Sequence, residues 1–280
     1  VPSPDYPLWS AAVVLNGGTP RYYECLPENG FVPDPAAIEA LITPRTRAIV
    51  LINPNNPSGA VYDREVLEQI ADLAARHSVL VMADEIYDQM VYDDAEFVPF
   101  ATLAGTGVCL TFSGLSKVYR ACGYRVGWCV FGGDLDKAKD YVHAMELLAA
   151  LRLCSNVPSQ WAVQTALGGF QSICDLVQPG GRLYQSRQCV IDRVNGSPYL
   201  SMHAPMGAMY AFIKLHDRFA GRLDDQQFAL ELLENRHVLV APGSSFNTTY
   251  SDHFRITTLP DPDMLHVVFD RIDDILVQHV

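Results

Sequence analysis

No block of lysines or arginines occurs in the 280 residues, and the formal net charge is -12. An acidic surface repels phosphates, so nucleic acid and anionic membrane are excluded as partners, and any phosphate site has to be local. No apolar run approaches the roughly 20 residues that cross a bilayer. The opening VPSPDYPLW has neither the basic nor the apolar region of a secretory signal, so it is expected to be interior domain sequence rather than a leader. CxxC pairs are missing too. The seven cysteines stand singly, several inside apolar runs, which predicts small core residues in a reducing, cytoplasmic setting. The eight histidines show no HxxxH or HExxH spacing, so no metal site is expected. Repeats and low-complexity tracts are also absent.

What remains is an ordinary folding composition, 49% apolar and 19% charged, long enough for one large unit and a smaller one. Short continuous apolar runs at 48–53, 79–84, 107–113 and 127–132 predict strands buried on both faces. Between the first two, Val66, Leu67, Ile70, Leu73 and Ala74 recur at helical spacing after Asp63. Strand, helix, strand is the unit of a parallel sheet. Residues 134–170 read as helical with a break at 156–160, and QPGG at 178–181 punctuates the chain. Runs at 207–215, 237–243 and 253–259 predict further strands with helices between and after them. The expected fold class is therefore α/β: a mostly parallel sheet flanked by helices in residues 1–175, and a smaller α+β unit in 176–280.

Sheets of this kind place ligands beyond the carboxyl ends of their strands. Three polar clusters fall there: NPNNPSG at 53–59, DEIY at 84–87 and SGLSK at 113–117. Lys117 directly follows a strand. A lysine amine whose pKa is lowered by burial or by nearby cations condenses with aldehydes, whereas taken alone Lys117 reads first as a solvated loop lysine. Asp84 closes an apolar strand and needs a cationic or donor partner, which a protonated pyridine or a helix N-terminus supplies. Arg125 has the fork that takes two phosphate oxygens, or it lies in solvent. NPNNPSG on spacing alone is a proline-pinned turn.

Taken in order, NPNNPSG, ADEIY, SGLSK with Arg125 eight residues beyond the lysine, and HFRITTLP resemble the class I/II aminotransferases, fold-type I pyridoxal phosphate enzymes. Within that family PSPDYPLW, FSGLSKVYRACGYRVGW, RLCSNVPSQ, TALGG and PGGRLY are similar to the bacterial glutamate-pyruvate (alanine) aminotransferases. The resemblance implies an aspartate aminotransferase-like fold and pyridoxal 5'-phosphate as cofactor. It implies that Lys117 is the Schiff-base lysine and that Asp84 keeps the pyridine nitrogen protonated. Tyr87 and Asn56 would bond the phenolic oxygen, Tyr6 would stack on the ring, and Arg125 would hold the phosphate with Ser113 and Ser116. Arg255, with Asn56, would take the substrate's α-carboxylate; a structural ion pair is its alternative.

The implied activity is ping-pong transamination between L-alanine/pyruvate and 2-oxoglutarate/L-glutamate, with amino acids and 2-oxo acids as substrates. A homodimer is implied for the complete protein. Two departures from the family pattern bear on this. Gly114 stands where many members have a serine three residues before the lysine. Roughly the first third of the family's length, with sheet strands and a phosphate-binding glycine loop, is expected to be missing, so this chain alone is expected to hold cofactor poorly. An aromatic aminotransferase, a C–S β-lyase and an inactive module stay open as alternatives.

Overall fold

A computed structural model describes residues Val1–Val280. The first short strand, β1 (Pro2–Ser3), precedes helix α1 (Leu8–Leu15) and pairs in parallel with β2 (Tyr23–Glu24). Helix α2 (Pro35–Leu41) leads to the main sheet: β3 (Ala48–Ile52), helix α3 (Arg64–His77), β4 (Leu80–Asp84), β5 (Val108–Gly114) and β6 (Gly127–Gly133). Spatial order follows chain order, with β3, β4 and β5 parallel and β6 antiparallel to β5.

The apolar stripe foreseen in 63–77 explains why α3 sits on this sheet. Leu67, Ile70, Ala71, Leu73 and Ala74 are buried while Glu65 and Glu68 face water. Each of the Leu and Ile side chains contributes about 1.5–3 kcal/mol when removed from water, far above the helix propensities involved. The helix stops at Ser78, whose left-handed φ of 52° turns its N–H back onto the Ala74 and Ala75 carbonyls.

The expectation of burial on both faces fails at β6. It pairs only with β5, leaves Val130 half exposed, and is an edge strand rather than an inner one.

Helices α4 (Lys139–Arg152), α5 (Val157–Gly168), α6 (Ser172–Val177) and α7 (Arg182–Gly196) follow. The foreseen break falls at Asn156, whose side chain accepts from Ser159 N as the cap of α5. A four-stranded antiparallel sheet then takes the order β7 (Leu200–Ser201), β8 (Tyr210–Leu215), β10 (His253–Thr257), β9 (Ala241–Pro242), with α8 (Asp225–Arg236) between β8 and β9 and α9 (Pro262–Leu276) at the end. The strand expected over 237–243 shrinks to two residues. Pro242 has no N–H to give a ladder, and Val238 and Val240 pack into the core instead.

One core joins α3 to β3 and β4, and another joins β8 and β10 to α7, α8 and α9. Phe212 and Phe246 belong to the first, although they lie in the second half of the chain. The halves are also stitched by backbone bonds, Tyr92 N to Met206 O at 2.9 Å and Ala208 N to Met90 O at 2.8 Å. Arg187, 2% exposed, pairs with Asp93 at 2.8 Å and donates to Pro205 O at 2.5 Å.

Candidate functional site

The three polar clusters meet because β3, β4 and β5 run in register. Ile52 lies beside Asp84, and Asp84 beside Phe112, so the segments following each strand leave from one edge. Asn53 N donates to Asp84 O and Glu85 N to Phe112 O, which carries the alignment one residue past the ladder.

Asp84 Oδ2 accepts a hydrogen bond from Trp9 Nε1 at 2.9 Å, while Oδ1 has only a long contact from Ile86 N at 3.4 Å. Burial pushes its carboxyl up from the ordinary aspartate range; Trp9, Ile86 and the charge of Lys117 pull it back down. A cationic donor at this carboxylate favours the ionised form. Trp9 is braced edge-on against Phe112, ring centroids 5.2 Å apart.

Lys117 follows β5 on a loop anchored by buried Leu115 and Val118. A side chain at Gly114, the last residue of β5, would put Cβ 2.8 Å from Val126 O and 3.1 Å from Gly127 Cα, so the backbones approach here too closely for one. Lys117 Nζ is 5.9 Å from the ring centroid of Tyr87.

The NPNNPSG loop is a built turn. Asn55 Oδ1 accepts from the Ser58 N–H and hydroxyl, Asn53 Oδ1 accepts from Tyr62 N, and Gly59 has φ +73° with its Cα side closed by Pro205. This presents Asn56 Oδ1 to Arg255 Nη1 at 2.8 Å. The Arg255 guanidinium lies over Tyr210 at 4.3 Å and Phe246 at 4.7 Å, and its Nε is buried without a partner. Burial lowers its pKa, while Tyr210, Tyr87 and Tyr6 raise it. A guanidinium with an unused buried donor is suited to an incoming carboxylate.

Asp84, Lys117, Tyr87, Asn56 and Arg255 thus form one neighbourhood, with Tyr6, 41% exposed, at its border. Arg125 is exposed and donates to Cys122 O within its own turn at 2.8 Å. Ser113 sits opposite Trp128 in the sheet, and the Ser116 carbonyl accepts from Cys122 Sγ. Trp9, Tyr210 and Phe246 were not singled out by sequence. For Trp9 and Tyr210 the available signal was a polar-tipped aromatic in an apolar stretch, which needs a partner for its N–H or O–H; Phe246 carried none. A separate cavity of about 580 Å³ lies at the other end of the sheet, lined by Arg47, Leu80, Met82, Lys137 and Tyr141 among others, and none of the expected site residues borders it.

The family model described as aminotransferase class I and II matches residues 1–272. The chain is 48% identical over 279 residues to a protein named alanine aminotransferase from Mycobacterium tuberculosis, spanning all of this chain and 65% of that protein. It is 48% identical over 275 residues to the glutamate-pyruvate aminotransferase AlaA of Escherichia coli, spanning 98% of this chain and 65% of that one. Among solved structures, an aminotransferase from Escherichia coli superposes with a TM-score of 0.96 at 46% identity, over 100% of this chain and 70% of that chain. An alanine aminotransferase from Pyrococcus furiosus gives 0.93 at 36% identity, over 99% and 70%.

Proposed function

From the premise that the chain belongs to the class I and II aminotransferase family, we propose that this protein is a pyridoxal phosphate-dependent transaminase exchanging an amino group between L-alanine/pyruvate and 2-oxoglutarate/L-glutamate. The observation that carries the reading is the grouping of a strand-end amine, a buried carboxylate bonded to Trp9 and a guanidinium with an unused buried donor.

These residues fit the cofactor by the chemistry of their donors. Asp84 would meet the ring nitrogen, Tyr87 and Asn56 the phenolic oxygen, Tyr6 the ring face, and Arg125 with Ser113 and Ser116 the phosphate. Bound there, the cofactor supplies an aldehyde carbon and an electron-withdrawing ring. Lys117 Nζ would hold the aldehyde carbon and would carry the proton to and from the substrate's α-carbon. Arg255 binds the α-carboxylate through parallel charge-assisted bonds, strengthened because burial has already removed water from the guanidinium. Burial raises the Asp84 carboxyl, so its ionised form gains from a protonated partner.

Residues 1–175 are assigned to the cofactor-binding unit and 176–280 to the smaller unit. A homodimer is part of the proposal: α4 and α5 leave Leu147, Leu148, Leu151, Val157 and Trp161 substantially exposed, an apolar face suited to a second copy. Cys25, Cys109 and Cys189, packed as small buried residues, support a reducing, cytoplasmic location.

The test is direct. The protein loaded with pyridoxal phosphate and freed of unbound cofactor should show visible absorbance that borohydride bleaches, and should form pyruvate from L-alanine and 2-oxoglutarate. Bleaching without pyruvate overturns the substrate pair; no bleachable absorbance overturns the whole proposal.

A further inference from the structure

Tyr210 touches both ends of the site. It is 7% exposed at the start of β8, its hydroxyl is 3.0 Å from the Tyr87 hydroxyl, and the two rings meet edge to face at 5.8 Å. Its ring also lies 4.3 Å from the Arg255 guanidinium carbon. The sheet fixes this spacing: Tyr210 pairs with Thr257 on β10, two residues along the strand from Arg255. A continuous line therefore runs Asn56, Arg255, Tyr210, Tyr87.

The hydroxyl is the informative part. A ring serving only to flank the guanidinium needs no oxygen, and Phe246 does that without one at 4.7 Å. Burying a hydroxyl is unfavourable unless it is hydrogen-bonded, and the Tyr87 hydroxyl is the partner it meets. The two oxygens share one bond, so the orientation of one hydroxyl fixes that of the other.

Resting on the functional reading above, we propose that Tyr210 is a positioning residue that couples carboxylate capture to Tyr87: its ring holds the Arg255 guanidinium and its hydroxyl orients the Tyr87 hydroxyl. A carboxylate arriving at Arg255 is thereby felt at Tyr87 without touching it. Burial first, and Tyr210 next, push the Tyr87 phenol up and keep it protonated. The other charged groups acting on Tyr87 are Asp84, Arg255 and Lys117.

Two readouts test this, neither of them turnover. The first is the dissociation constant of succinate, a non-reacting carboxylate, measured calorimetrically on the protein loaded with pyridoxal phosphate. Tyr210→Phe, which keeps the ring, should stay within about twofold of the starting protein, and Tyr210→Leu should bind roughly tenfold more weakly. The second is the midpoint of the pH-dependent visible absorbance. Tyr210→Phe should move it by about half a unit or more, and Tyr87→Phe combined with Tyr210→Phe should match Tyr87→Phe alone, because Tyr210 acts through Tyr87.

An unmoved midpoint in Tyr210→Phe, or additive shifts in the double variant, overturns the coupling. Unchanged succinate binding in Tyr210→Leu overturns the role of the ring. Tyr210→Phe conserves shape, so the absorbance test decides even where Tyr210→Leu fails to fold. A starting protein with no borohydride-sensitive absorbance refutes the functional reading and this proposal with it, whereas a normal starting protein with unresponsive Tyr210 variants refutes only the latter.

Discussion

Trp9 and Asp84, 75 residues apart in the chain, are joined by an indole N–H donated to a carboxylate oxygen at 2.9 Å. The bond ties α1 to the end of β4 and occupies one of the two oxygens of a buried acid. Trp9→Phe keeps the ring against Phe112 but removes the donor. The variant should lose about 1.5–3 kcal/mol in denaturant unfolding, as expected for a bond to a charged group, and should bind pyridoxal phosphate more weakly in an absorbance titration.

Lys117→Ala removes the proposed nucleophile and proton carrier together. Turnover should fall by at least about 10³-fold, with no borohydride-stable attachment of cofactor by mass spectrometry. The fold should be unaffected in far-ultraviolet circular dichroism, because Lys117 is not one of the buried core residues.

Arg255→Lys keeps the charge and loses the fork. The remaining point charge cannot donate in parallel to a carboxylate, and it loses its planar seat beside Tyr210 and Phe246. The KM for L-alanine should rise by about 10–100-fold, with a smaller change in kcat.

Glu85 predicts a pH dependence. It is 5% exposed, its Oε1 accepts from Phe100 N at 2.7 Å, and burial pushes its carboxyl up from 4.5 to about 7, with Asp88 and Asp84 acting in the same direction. Between those two values the folded protein keeps a proton that the unfolded chain has released. Stability therefore falls as pH rises through this window, by up to about 3 kcal/mol. Denaturant midpoints for Glu85→Gln should be flatter across the same range.

Gly59 predicts a structural cost. Its φ of +73° is strained for any L side chain, and an added Cβ would lie 2.4 Å from Pro205 Cβ. Gly59→Ala should destabilise by about 1–3 kcal/mol in chemical denaturation and raise the KM for L-alanine, since the same loop presents Asn56 to Arg255.

The parallel strands and α3 were legible in sequence because their signals are local: apolar runs of five or so residues and a stripe at helical spacing. The fates of β6 and 237–243 were not. Whether an apolar strand lies inside or at an edge depends on its neighbours, and whether Val238 and Val240 pack from a strand or an irregular segment depends on a Pro242 that cannot donate. For the site, motif order brought Lys117, Asp84 and Arg255 forward because charged groups beside apolar strands are conspicuous. Trp9 and Tyr210 stayed hidden, since an aromatic in an apolar stretch looks like core until its polar tip is seen to meet a particular partner. Arg125 was read from its forked guanidinium and Ser113 and Ser116 from resemblance, and the contacts of the chain do not add to that.

The wet leucines and Trp161 of α4 and α5 bear on handling as much as on assembly. Chains that meet during heating will stick through that face, so clouding should depend on concentration and scan rate, and the temperature at which a solution precipitates will report a rate of self-adhesion instead of an equilibrium.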